Sequence, residues 1–224
     1  MASVKPLKID SSQIVRFLSE DEEKRLRSAI DSREEKRRVE RDSANGWRLK
    51  RQVALLTDLR LVPFTDHLKP MILISINTGI RQGELFNLRW QDVDLHRANL
   101  TITGNTAKSG KTRHIPLNSE ALHAFNEWAT GSNNENLVFP STDGRPFDNV
   151  KKSWAELLKD AKIDQFRWHD MRHHFASRLV MAGVDINTVR ELLGHGDLKM
   201  TLRYAHLAPE HKAAAVAKLV RQND

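Results

Sequence analysis

Cysteine is absent from all 224 residues, so disulfides and thiolate-held metals are excluded, and the chain suits a reducing compartment. No uninterrupted apolar run is long enough to cross a bilayer. The opening Met1-Ala2-Ser3-Val4-Lys5 lacks the apolar stretch of a secretory leader. A cytoplasmic protein without a membrane partner is expected. There is no internal repeat and no low-complexity tract. Tyrosine is almost absent: Tyr204 is the single one.

The hydrophobic share is 39% and the charged share 29%, with a net charge of +7. That length and composition suit a globular chain with a real core and a charged surface. The basic balance favours polyanion partners, because phosphate contacts release condensed counterions.

Ser19 with Glu22 three positions on forms a capping-box pattern, and 20–42 reads as a helix charged almost all round, ended by Asn45-Gly46. Residues 66–79 form an apolar helix with Pro70 in an early turn and Gly79 as its stop. A short helix follows over 82–88. Alternation over 99–103 and 113–117, around a turn region at 104–110, predicts a hairpin carrying Lys108. Helices are then expected at about 119–130, 147–160, 169–182, 186–193, 197–203 and 209–221, with Gly183 and Gly194 as stops and Asp185 as a cap. The fold class is mainly α with a small antiparallel β-sheet.

Several short stretches carry reactive groups. His169 and Arg172 lie at i and i+3 and share a helix face, where a guanidinium fork and an imidazole make a phosphate site. His169 and His173 stand at i and i+4, but a zinc-protease pattern needs Glu where Asp170 stands; no metal or other cofactor is expected. Arg81 opens a helix, where free backbone N–H groups favour an anion, and Glu84 one turn on can brace it. Lys108 sits at a hairpin tip, with Lys111 and Arg113 near enough to compete for its role. His195 follows the Gly194 stop, and Tyr204 follows a short helical stretch. Taken singly, each has an ordinary structural explanation.

Their order and spacing together resemble the catalytic domain of tyrosine recombinases, the phage-integrase family. The matching stretches are TGIRQGELFNLRWQDVDL (78–95), the Lys108 hairpin, HDMRHHFASRLVMAGVDINTVRELLGH (169–195) and Thr201-Leu202-Arg203-Tyr204, within roughly 17–210. The resemblance implies that Tyr204 attacks a scissile DNA phosphate and forms a 3′-phosphotyrosyl link. It implies that Arg81 and Arg172 hold the non-bridging oxygens, Lys108 protonates the leaving 5′-oxygen, and His169 assists proton transfer. His195 would place the phosphate and Glu84 would stand behind Arg81. The implied activity is site-specific recombination, in integration or excision of a phage or other mobile element, without metal or ATP. The implied partners are double-stranded DNA with specific attachment sites and a homo-tetramer formed on it, the isolated chain being a monomer; the implied location is the nucleoid of a bacterial or phage-infected cell.

The expected organisation is a lead-in at 1–16 and a catalytic domain at 17–224, with the N-terminal core-binding domain of such enzymes absent. The tail helix at 209–221 packs either on its own domain or on a neighbouring protomer. A type IB-like topoisomerase and an inert DNA-binding relative remain as alternatives.

Overall fold

The computed structural model describes residues 15–104, 112–130 and 136–209. Lys108 and the tail helix expected over 209–221 fall outside them, apart from Pro209, as does most of the lead-in. Eight α-helices and one three-stranded antiparallel sheet are found among the described residues.

Helix α1 (Glu20–Lys50) opens on the Ser19 capping box as expected: Ser19 Oγ accepts from Glu22 N–H, and Glu22 accepts from Ser19 N–H. Its end differs from expectation, because it runs straight through Asn45-Gly46. A glycine in an exposed helix costs only about 1 kcal/mol, and tertiary ties outweigh it. Asn45 both donates to Leu56 O and accepts from Leu56 N–H. Arg48, Arg41 and Arg38 donate to the carbonyls of Ala54, Thr57 and Leu59, so the following segment straps back along the helix. Nor is α1 solvated on every side: Leu26, Ile30 and Glu34 are buried, and Glu34 accepts from the N–H and hydroxyl of Thr65.

Helix α2 (Leu68–Thr78) is the centre of the core, with Met71, Ile72, Ile74 and Ile76 among its buried residues, and it packs on α4 (Ser119–Thr130) and α6 (Asp170–Met181). Gly79 ends it in the left-handed conformation, φ 61°. The short α3 (Gln82–Phe86) follows, and then β1 (Val93–Asp94), β2 (Asn99–Ile102) and β3 (Arg113–Pro116) in that spatial order. The expected hairpin is β2–β3, in the register Leu100↔Ile115 and Ile102↔Arg113; β1 adds an edge the sequence pattern did not show. Its alternation turns Leu100, Ile102 and Ile115 into the core.

Helix α5 (Lys151–Asp160) packs against α1, while α7 (Ile186–Leu193) packs on α6 and β3. Asp185 caps α7 by accepting from Asn187 and Thr188 N–H, and Gly194 closes it at φ 63°, both as expected. Helix α8 (Lys199–Leu202) is a single turn leading to Tyr204. A second, smaller apolar cluster joins α6 and α7 to that turn: Ala176, Val180, Val189, Leu193 and Tyr204.

Candidate active site

Two helix C-termini aim their last carbonyls at one place. Arg172, in the first turn of α6, donates to Gly79 O at the end of α2 (2.7 Å) and to Leu193 O at the end of α7. Arg113, on β3, donates from Nε to Leu192 O at 3.1 Å. Unsatisfied terminal carbonyls and the negative end of a helix favour a guanidinium. Both glycine stops are needed for this approach. A Cβ on Gly79 would strike the Phe175 ring, and one on Gly194 would lie 2.7 Å from Arg113 Cδ.

Glu84 lies behind Arg81, as expected, but also does more. One carboxylate oxygen accepts from Arg81 Nη1 at 2.9 Å and the other from Arg81 N–H at 2.9 Å. The same two oxygens take the fork of Arg113 at 3.0 and 2.6 Å. Burial pushes the Glu84 carboxyl up, but the hydrogen bonds and charge of Arg113, with Arg81, outweigh it and hold it below the usual range. Arg113 competes with Lys108 in the sequence; the structure places it as a buried brace, 6% exposed.

Among the described residues, no carboxylate is hydrogen-bonded to Arg172. Burial, then the nearby charges of Arg81 and Arg113, push it down to about 9, so it remains charged at neutral pH. Three guanidinium groups thus face the single carboxylate of Glu84. A surplus of buried positive charge suits a phosphate, and most of all the extra negative charge of a pentavalent phosphorane.

The imidazoles complete this wall. His169 immediately precedes α6, one turn before Arg172, and is pushed down by burial and then by Arg172. His195 follows Gly194, and its Nδ1 lies 2.9 Å from the hydroxyl of the buried Thr201 on α8. Burial, then Arg172 and Arg81, lower His195 to about 3. Both rings are therefore neutral at pH 7, each with one N–H to donate.

Tyr204 is 1% exposed. Its ring fills the smaller apolar cluster, and burial raises its phenol to about 12, against the partial opposition of Arg172 and Arg203. The hydroxyl lies 2.6 Å from Nδ1 of His173. Sequence reasoning weighed His173 only as a metal partner of His169. A usable signal was its place one turn before Ala176 on α6, on the face that the Tyr204 ring covers. His174 is different again: its Nδ1 accepts from Leu18 N–H and its Nε2 faces Glu23 at 3.4 Å, which ties α1 to α6.

The structure therefore gathers Arg81, Glu84, His169, Arg172, His195 and Tyr204 around one place, from three separated stretches of chain. No group of three His, Asp or Glu side chains suited to a metal ion is found among the described residues.

The integrase of Salmonella phage P22 is 33% identical over 158 residues, spanning 65% of this chain and 41% of that protein. The catalytic domain of bacteriophage HP1 integrase is 25% identical, with a TM-score of 0.59 over 91% of this chain and 95% of that one. The Tn1549 transposon integrase (aa 82–397), solved with circular intermediate DNA, is 25% identical, with a TM-score of 0.58 over 67% of this chain and 59% of that one. The chain spans about half the length of the curated relatives it matches. The model of the Phage integrase family matches residues 49–211, and the chain belongs to that family of tyrosine recombinases.

Proposed function

We propose that this chain is the catalytic domain, over 17–224, of a site-specific DNA recombinase. It cuts and rejoins strands through a 3′-phosphotyrosyl intermediate on Tyr204. The observation that carries this reading is the convergence of Arg81, Arg172, His195 and the Tyr204 hydroxyl, which span more than a hundred positions: the charge of Arg172 acts on both His195 and Tyr204, and that of Arg81 on Arg172 and His195.

The chemistry follows from the groups present. A phenol held at about 12 is a weak nucleophile at neutral pH. An incoming phosphate meets Arg81 and Arg172, whose forks offer donors to the two non-bridging oxygens and stabilise the charge that develops on them. Neutral His195 donates a further hydrogen bond, and Thr201 fixes its ring through Nδ1. His169 lies at the same wall, near Arg172 and Arg81. Lys108, from the β2–β3 connection, protonates the 5′-oxygen as it leaves. The phosphotyrosine retains the phosphodiester energy, so rejoining needs no ATP. The positive charge that many nucleases take from a metal ion is supplied here by arginine.

The partner is double-stranded DNA carrying attachment sites, and the working assembly is a homo-tetramer on that DNA. The net charge of +7 and the DNA-bound Tn1549 relative support the first part. A nicked duplex that loses its 5′-fragment after cleavage traps the intermediate. The expected result is a denaturant-resistant protein–DNA adduct with the parent chain and none with Tyr204→Phe. An adduct that survives in Tyr204→Phe would end this reading.

A further inference from the structure

We propose that His173, rather than His169, takes the proton from the Tyr204 hydroxyl as that oxygen attacks the phosphate. The inference rests on the reading of Tyr204 as nucleophile.

The geometry selects His173. Its Nδ1 lies 2.6 Å from the phenol oxygen, within the range of a strong O–H···N hydrogen bond. His169 stands one ring further away: its ring meets the His173 ring edge-on, with centroids 5.1 Å apart and planes at 90°. His173 projects from the first turn of α6, a packed helix, and so holds a fixed position against the turn that carries Tyr204.

The direction of the bond follows from what attack requires. If Nδ1 carried the hydrogen, it would occupy a lone pair of the phenol oxygen, which must instead face phosphorus. With Nδ1 bare, the phenol donates and its lone pairs stay free. The charged and titratable groups around His173 are His169 just before α6, Asp170 and Arg172 on α6, Arg203 and Tyr204 after α8, and His195 after α7. Burial, then His169, lower its pKa to about 4, with Arg203 and Arg172 adding to this and Asp170 opposing. The ring is therefore neutral and able to accept a proton at pH 7. A bound phosphate brings negative charge that offsets the neighbouring cations, and so strengthens His173 as a base when substrate is present.

The step balances. The Tyr204 O–H bond breaks, its proton moves to His173 Nδ1, and the phenol oxygen bonds to phosphorus. The bond from phosphorus to the 5′-oxygen breaks, and that oxygen takes a proton from Lys108. Rejoining reverses both transfers.

The test begins with a pool of nicked duplexes of randomised sequence, from which the parent chain captures those it cleaves as denaturant-resistant adducts. Single-turnover adduct formation on a captured duplex is then followed from about pH 6 to about pH 10. The parent is expected to give a flat profile. His173→Phe keeps a ring and removes the acceptor. It should be slower by about 100-fold or more at neutral pH, and its rate should rise with pH as hydroxide replaces the lost base. A 5′-bridging phosphorothiolate, whose sulfur leaves without a proton, should rescue Lys108→Ala and not His173→Phe. An unchanged rate and profile in His173→Phe overturns the proposal. So does faster cleavage, which would mark the contact as a latch on the buried tyrosine. Nitrogen-15 NMR of the parent gives a check independent of any variant's folding: Nδ1 of His173 is expected to be unprotonated at pH 7, and a protonated Nδ1 overturns the assignment. If the parent forms no adduct that depends on Tyr204, the underlying reading fails instead, which is a distinct result.

Discussion

Glu84 grips Arg113 with both carboxylate oxygens, at 3.0 and 2.6 Å, in a setting where neither side chain is more than 6% exposed. The pair joins α3 to β3 beside Arg81, so the position of Arg81 is set in part by a contact 29 residues further along the chain from Glu84. Buried ion pairs are costly to break from one side, because the remaining charge has no water to turn to. Glu84→Ala is therefore expected to destabilise the fold by about 3–5 kcal/mol, and to slow adduct formation as well. Denaturant unfolding beside the nicked-duplex assay checks both; an unfolding midpoint equal to the parent's would refute the brace.

Glycine does opposite work at two positions. Gly79 is left-handed and faces Phe175, so any Cβ there is both strained and crowded. Gly79→Ala is expected to cost about 2 kcal/mol or more and to displace the carbonyl that holds Arg172. Gly46 lies inside α1 with nothing within 4 Å of a Cβ. Gly46→Ala is expected to stabilise by about 0.5–1 kcal/mol. Thermal melts of the two variants should move in opposite directions.

The same pair shows where sequence reading succeeds and stops. Gly79, Gly194, Asp185 and the Ser19–Glu22 box were legible because capping is local: the residue and the groups it satisfies lie within one turn. Asn45-Gly46 misled because the residues that override it, from Ala54 to Leu59, act through tertiary hydrogen bonds. Arg113 looked like a rival to Lys108, since it opens the strand just after the Lys108 connection and nothing local shows the carboxylate waiting on α3. His173 was set beside His169 by helical spacing, whereas its hydroxyl partner comes 31 residues later. Motif order picked out side chains that the structure gathers at one place. It left open which imidazole touches Tyr204, because that depends on how one turn after α8 lands on α6.

The two proposed phosphate-binding arginines should separate in their effects. Among the described residues the Arg81 side chain bonds Glu84 alone, and it stands near the surface of the site, with 17% of its side chain exposed. Arg81→Ala is expected to slow adduct formation by about 10²–10³-fold with little loss of stability. Arg172 also ties the ends of α2 and α7 together through Gly79 O and Leu193 O. Arg172→Ala should show a similar loss of rate and, in addition, a drop of about 1–3 kcal/mol from its two unpaired carbonyls. Equal melting temperatures for the two variants would contradict this division.

Acid stability should report on Glu23, which ties α1 to α6 through His174. Hydrogen bonding by His174 holds its carboxyl down at about 2 against an ordinary 4.5, with burial opposing and Arg27 assisting. Arg178 also donates to it at 2.7 Å. The folded chain thus ionises Glu23 more readily than the unfolded chain does. Its contribution is full above about pH 4.5 and fades as pH falls toward about 2. With the side chain 15% exposed, the effect is on the order of 2 kcal/mol. Glu23→Gln should be less stable than the parent at neutral pH by that amount, and the two chains should converge as pH falls through the window. Urea unfolding at several pH values measures this directly; a difference that stayed constant down to acid pH would mean that Glu23 acts through shape rather than charge.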